Sequence, residues 1–231
     1  MLILALDTSS VASSCALLED NKTVAESFLN EKITHSATIM PMIEDMFACC
    51  GRDIKDVGIF TATSGPGSFT GVRIGASVLL GLAFGKNAAC IGVSTLEVTA
   101  APLSGELFKD KIICPVMDAR RGQFYNALFK NGQRLTEDRA ISAEDLSAEL
   151  KDYGLPVIVC GDGASLLQTL ITDIPLIKAP DRLTYPSASE AARLAYKIYE
   201  NTEDKTVFTD LNFKPVYLRP SQAERNKKSI M

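Results

Sequence analysis

Apolar runs that end on a lone carboxylate or a glycine cluster alternate with short polar turns along this chain. Residues 2–7, LILALD, have no polar break before Asp7, the pattern of a buried strand. TSSVAS turns the chain, SCALLE at 14–19 returns it, and DNK turns it again into TVAESFL. Residues 35–51, HSATIMPMIEDMFACCG, have helical spacing with Gly51 as the stop signal. VGIFTAT at 57–63 is a strand, and the glycine segment GPGSFTGVRIG at 65–75 leads into a helix over 68–85. AACIGVS at 88–94 is another strand, and Ser94 caps a helix through Ala101.

The same plan starts again at residue 111. KIICPVMD is a strand ending on Asp118, ARRG is a turn, QFYNALF returns, and KNG turns the chain into QRLTEDRAI. Ser142, with Asp145 three residues on, has the capping-box arrangement of a helix start. PVIVCGDG at 156–163 is a strand ending in glycines, followed by a helix at 164–172, IPLIKAP, and a helix at 187–200. Hairpins make antiparallel pairs and crossovers make parallel ones, so each copy predicts a mixed sheet flanked by helices. The fold class is α/β, with two tandem βββαβαβα subdomains at 1–103 and 104–213 and a C-terminal tail at 214–231. Two halves that each begin strand–Asp–turn–strand resemble the actin/sugar kinase/Hsp70-like superfamily. That resemblance implies actin-like (ribonuclease H-like) subdomains whose Asp-bearing hairpins face a nucleotide in a cleft.

Composition narrows the function classes. The net charge of −4 argues against a stand-alone nucleic-acid binder, because neutralising phosphates dominates that affinity. None of the six cysteines forms a CxxC pair and most lie in apolar runs, which suits buried free thiols in a reducing cytoplasm. The start, MLILALDTSS, lacks the basic segment of a signal peptide, and the uncharged stretch between Arg73 and Lys86 is too short to span a bilayer. A cytoplasmic protein without membrane contact is the expectation.

The glycine segment fails two phosphate-loop templates. Counting from Gly65, the sixth position is Thr70, where both GxxxxGK[ST] and GxGxxG require glycine. A helix N-terminus with Arg73 in its early turns remains suited to an anion. The competing reading is that the glycines allow a sharp turn and close backbone approach. The helix that follows is apolar or small on nearly all sides, and the helix at 35–51 spreads Ile39, Met40, Met42, Ile43, Met46, Phe47 and Cys50 over more than one stripe. Two such helices predict an interface with another chain. His35 is the only histidine, and Ile39 stands four residues on, so a helical metal pair is not formed. A metalloprotease is excluded by that single imidazole, and nothing supports a Ser–His–Asp arrangement built on it. The residues RPSQAERNKKSIM at the end read as a solvated basic tail.

LALDTSS, THSATIMP, TSGPGSFTGVRIG, MDARRGQFY and PVYLRPSQAE together resemble the TsaB (YeaZ) family over nearly the whole chain. The resemblance implies a part in making N6-threonylcarbamoyladenosine in tRNAs that read codons beginning with A. It implies a non-catalytic scaffold, with no cofactor and no metal of its own, that pairs with the TsaD transferase and the TsaE ATPase. tRNA would be met only through that complex, and the free chain would pair with itself. The partner interface is expected at His35, Ile39, Met42, Ile43, Met46, Phe69, Val72, Arg73, Ala76, Leu79 and Leu80. A vestigial nucleotide cleft is expected at Asp7, Thr8, Ser9, Asp118 and Arg120. The alternative from another class is a stand-alone ATP-binding or ATP-hydrolysing enzyme with Asp7 and Asp118 in its cleft.

Overall fold

The computed structural model describes residues 1–31 and 33–219. In the first half, β1 (Leu2–Asp7), β2 (Ser13–Glu19) and β3 (Lys22–Leu29) form an antiparallel meander. Helix α1 (His35–Cys50) crosses over to β4 (Val57–Gly65), which lies parallel to β1. Helix α2 (Phe69–Ala83) leads to β5 (Ala89–Ser94), and the sheet order is β3-β2-β1-β4-β5. Helix α3 (Thr95–Ala100) follows directly, with the Ser94 hydroxyl accepting from the Glu97 N–H at 3.3 Å.

The second half repeats this order. Strands β6 (Ile112–Asp118) and β7 (Gln123–Asn126) form the hairpin. Strands β8 (Phe129–Lys130) and β9 (Gln133–Arg134) make a short extra hairpin, and β10 (Arg139–Ser142) pairs with β7. The single long strand expected at 123–129 is thus broken. The Leu128 N–H donates to the Thr136 hydroxyl, outside the main ladder. Helix α4 (Ala143–Tyr153), β11 (Val157–Cys160), α5 (Ala164–Leu170), β12 (Leu176–Lys178) and α6 (Ala188–Asn201) complete the chain order, and β11 and β12 add parallel to β6. Half of the expected capping box is formed: the Asp145 N–H donates to the Ser142 hydroxyl at 3.0 Å, and that hydroxyl donates to the Asp145 carboxylate at 2.9 Å.

Alternation along the central strands decides the layers. Leu2, Leu4 and Leu6 face α1 and α2, packing on Ile39, Ile43, Ala76 and Leu79. Ile3 and Ala5 face the other way, onto Ala188, Ala191, Ala192 and Ala195 of α6. A central strand covered on both sides needs apolar residues at every position, which explains the unbroken run at 2–6. Strand β6 does the same. Cys114 and Val116 pack on α4 and α5, while Ile113 and Met117 pack with Leu96 and Ala100 of α3.

The halves therefore share helices. Helix α6, grouped by sequence with 104–213, covers the first sheet, and α3, grouped with 1–103, lies between the sheets, with Val98 on the first and Leu96 and Ala100 on the second. The division expected near residue 103 falls in a 3-10 turn, Ala101–Ser104, but neither half closes its own core. Residues 214–219, the start of the expected C-terminal tail, and Phe213 before them lie against the body of the protein. Phe213 is buried in the first core, and the Val216 N–H donates to the Ser64 carbonyl at 2.7 Å. The basic residues Arg225, Lys227 and Lys228 lie outside the described residues. Among the described residues, no helix is long and apolar enough to cross a membrane.

Candidate functional site

Asp7 ends β1 and turns its side chain into the protein. One carboxylate oxygen accepts from the Ser9 hydroxyl at 2.6 Å, the Thr63 hydroxyl at 2.5 Å and the Ser9 N–H at 3.3 Å. The other oxygen, Oδ2, is buried and has no partner among the described residues. Burial raises the Asp7 pKa, and the bonds from Ser9 and Thr63 oppose that shift.

The start of α2 is packed onto this turn. The Thr8 hydroxyl donates to the Gly71 carbonyl at 2.7 Å, and the Ser68 N–H donates to the Ser9 carbonyl at 2.8 Å. A Cβ at residue 71 would strike the Thr8 carbonyl oxygen. At Gly67 it would lie 2.5 Å from the Ser9 carbonyl oxygen, and at Gly75 2.6 Å from the Thr8 hydroxyl. Gly67 and Gly71 thus admit backbone to backbone, and Gly75 admits the Thr8 hydroxyl. The turn after β1 is covered by the protein's own helix α2.

The second hairpin stays open to a cavity. Asp118 accepts from the Arg120 N–H at 2.7 Å and pairs with the Arg120 guanidinium at 3.3 Å. The loop after β11 lies against β6. Gly161 has φ of +91°, its Cβ would strike the Val116 carbonyl oxygen, and the Gly163 N–H donates to that same oxygen at 3.1 Å. Between them lies Asp162. Burial first, then the nearby Asp118 and Asp7 carboxylates, push the Asp162 pKa up to about 6, against the Asp118 N–H and Arg120. Its Oδ1 is buried without a partner among the described residues.

What remains of the cleft is a cavity of about 410 Å³ lined by residues 66–70, Asp118, Ala119, Arg120, Tyr125 and residues 216–219. It brings Asp118 and Arg120 together with the glycine segment, whereas Asp7, Thr8 and Ser9 lie buried behind α2. His35 bonds the Ser10 carbonyl through Nε2 at 2.9 Å and borders a separate apolar groove with Val11, Ile33 and Ile74. Among the described residues, no group of three metal-ligating side chains comes together. Cys15, Cys90, Cys114 and Cys160 are buried, and burial pushes the Cys15 and Cys114 thiols up to about 12. They are inert packing groups at neutral pH.

The interface residues expected from the sequence divide into two sets. Ile39, Ile43, Met46, Ala76 and Leu79 are buried against the first sheet, and Val72 is buried too, so they belong to the interior and not to an accessible surface. The reason is geometric: both helices are apolar over more than one face, and the sheet takes the larger of them. His35, Met42, Phe69 and Leu80 are half-buried, and Arg73 is exposed. The outward stripe of α2 is Thr70, Arg73, Ser77 and Gly81, beside a groove lined by Ser36, Ile74 and Val78. Of the two small pairs at a spacing of four, Gly71 and Gly75 face inward while Ser77 and Gly81 face out.

Sequence reasoning passes over Thr63, Asp162 and residues 216–219. Thr63 sits opposite the end of β1, two strand positions after the buried Thr61, and period-two alternation places it on the Asp7 face. Asp162 carries a usable signal, an acid at the end of the apolar strand at 157–160, the same strand–Asp pattern as Asp7 and Asp118.

Two sheets of like order, each opening on an Asp-bearing hairpin, with helices shared between them and a cleft at the hairpins, define a fold of the actin/sugar kinase type. Component A of (R)-2-hydroxyglutaryl-CoA dehydratase from Acidaminococcus fermentans shares the fold, with a TM-score of 0.51 at 14% identity over 87% of this chain and 100% of that one. YeaZ from Pseudomonas aeruginosa superposes with a TM-score of 0.79 at 24% identity, covering 94% of this chain and 99% of YeaZ. Residues 22–227 match the family model described as TsaD: tRNA N6-adenosine threonylcarbamoyltransferase. The tRNA threonylcarbamoyladenosine biosynthesis protein TsaB of Bacillus subtilis is 36% identical over 178 residues, 75% of this chain and 76% of the relative. The Escherichia coli protein of the same name is 29% identical over 96% of both chains. The chain belongs to the TsaB family.

Proposed function

We propose that this chain is a non-catalytic subunit in the making of N6-threonylcarbamoyladenosine in tRNAs that read codons beginning with A. It pairs with a TsaD-type transferase, works with the TsaE ATPase in the cytoplasm, and meets tRNA only within that assembly. In isolation the same face supports a homodimer. Residues 1–103 and 104–213 act as its two lobes, with α3 and α6 shared between them. The observation that carries the reading is the first hairpin buried under the α2 N-terminus, with the Thr8 hydroxyl on the Gly71 carbonyl. On this reading a phosphate has no room beside Asp7, and an ATP-using enzyme of this fold would need that room. Family membership supports the pathway, and the single histidine fits a subunit that leaves metal chemistry to its partner.

Reconstitution with TsaD and TsaE tests this reading. Modified tRNA is expected only when the chain is present, and the lone chain is expected to hydrolyse no ATP, with or without Asp7→Ala. ATP turnover by the lone chain that disappears in Asp7→Ala would sink the scaffold reading in favour of the stand-alone enzyme.

The proposed contact surface makes a separate prediction. Small residues on the outward stripe let a partner helix approach closely. Ser77→Arg fills that approach with an exposed side chain, so binding to TsaD should weaken roughly tenfold or more while the melting temperature stays put. Val72→Glu should instead unfold the chain, because it buries an unpaired charge beneath α2. Unchanged affinity of the Ser77→Arg protein in a titration with TsaD would show that another surface is used.

A further inference from the structure

We propose that residues 213–219 are a clasp that ties the two lobes together across the mouth of the cleft, and that Arg73 on α2 sets its grip. The segment leaves the first lobe at Phe213, which is 6% exposed and packed in the core beneath α1 and α2. It next joins the end of β4, with the Val216 N–H on the Ser64 carbonyl at 2.7 Å. Gly65 is held so close to the Val216 carbonyl that a Cβ there would strike it. Tyr217 then stacks on Phe69 with ring centres 4.9 Å apart. Finally the Arg219 guanidinium donates to the Ala119 carbonyl at 2.9 Å and the Arg120 carbonyl at 3.3 Å, on the second lobe's hairpin. The cavity of about 410 Å³ lies under this crossing.

The two ends are held unequally. The first lobe holds a buried phenyl ring, a backbone hydrogen bond and a stacked aromatic pair. The second lobe holds one half-exposed guanidinium on two turn carbonyls. Letting go of Arg219 breaks no strand pair and exposes no core residue, so the clasp opens from that end without unfolding either lobe. Arg73 reinforces the middle. Its guanidinium lies 3.8 Å from the centre of the Phe69 ring, and its Nε donates to the Tyr217 hydroxyl at 2.9 Å. Arg73 belongs to the outward stripe of α2, so that stripe and the cleft mouth share one side chain.

Hydrogen exchange on the full chain tests the clasp, whatever the chain's partners are. The reporter is the Val216 amide, whose protection depends on the segment staying down. Arg219→Ala and Arg73→Ala should each speed its exchange roughly fivefold or more, as expected for losing one charged hydrogen-bonding anchor. Tyr217→Phe keeps the ring, removes the acceptor for Arg73, and should give a smaller increase. The amides of Leu4 and Leu17, in the first sheet, serve as controls for global opening and should not change. Val216 protection that is unaltered in both arginine variants overturns the clasp. Equal acceleration at Val216, Leu4 and Leu17 overturns it as well, since that is whole-chain unfolding.

Discussion

Gly71→Ala is expected to destabilise the chain by about 3 kcal/mol or more, the upper end of the cost of overpacking. The new methyl would meet the Thr8 carbonyl oxygen, which is backbone and is held in the turn after β1. Relief would require α2 to lift off the hairpin. That motion would break the Thr8–Gly71 bond and the Ser68–Ser9 bond together. Helix propensity works in the opposite direction, since alanine is favoured over glycine inside a helix by about 1 kcal/mol. The clash therefore wins. Gly81→Ala in the same helix is the matched control. Nothing lies within 4 Å of the point where its Cβ would sit, so only the propensity gain should appear. Urea unfolding of the two variants should move the midpoint in opposite directions. A Gly71→Ala protein as stable as the parent would remove the account of how the first hairpin is filled.

Asp162→Asn should stabilise the folded chain at pH 8 and leave it nearly unchanged near pH 4. The folded pKa of about 6 lies above the ordinary value of 3.8. Between those values the folded chain holds a proton that the unfolded chain releases, so this carboxyl's contribution is fully present below about pH 4. It is lost as the pH rises through 6. The gap between the folded and ordinary values corresponds to about 3 kcal/mol between the extremes. Asparagine cannot ionise, and the variant should therefore lack this fall. Asp7, buried and raised in the same direction, leaves part of the slope in place. Asp173 acts with the opposite sign: bonds from Lys151 and then Ser147 hold its carboxyl low, so its contribution fades on acidification. Unfolding midpoints measured from pH 4 to 8 for both proteins give the answer. Parallel curves would show that Asp162 ionises freely in the fold.

Much of the architecture was legible because covalent periodicity records burial. The runs at 2–6 and 112–117 are apolar at every position, since both sheet faces are covered. Ser142 and Ser94 announced their helices through hydroxyls that accept the orphan N–H groups of the first turn. The glycine segment announced close approach correctly through its failure at Thr70 to match either phosphate template.

The candidate site was less legible. Val72 and Ala76 looked like surface on an all-apolar helix, and a one-dimensional pattern does not say which of two covers lies on which side. Asp162 stood unremarked within the glycine-ended strand read at 156–163, and only the packing of that loop on β6 buries it near Asp118.

The sequence by itself determined the strand and helix order, its repetition, the caps, and the two Asp-bearing hairpins, because each depends on local spacing and side-chain type. Only the tertiary structure decided the sharing of α3 and α6 between the sheets, the covering of the first hairpin by α2 and the return of residues 213–219 across the cleft. Those features join residues distant along the chain. Their energy comes from which surfaces meet, and apolar burial is non-directional. A buried alanine face such as that of α6 states that it must be covered, and packing geometry alone selects the sheet that covers it.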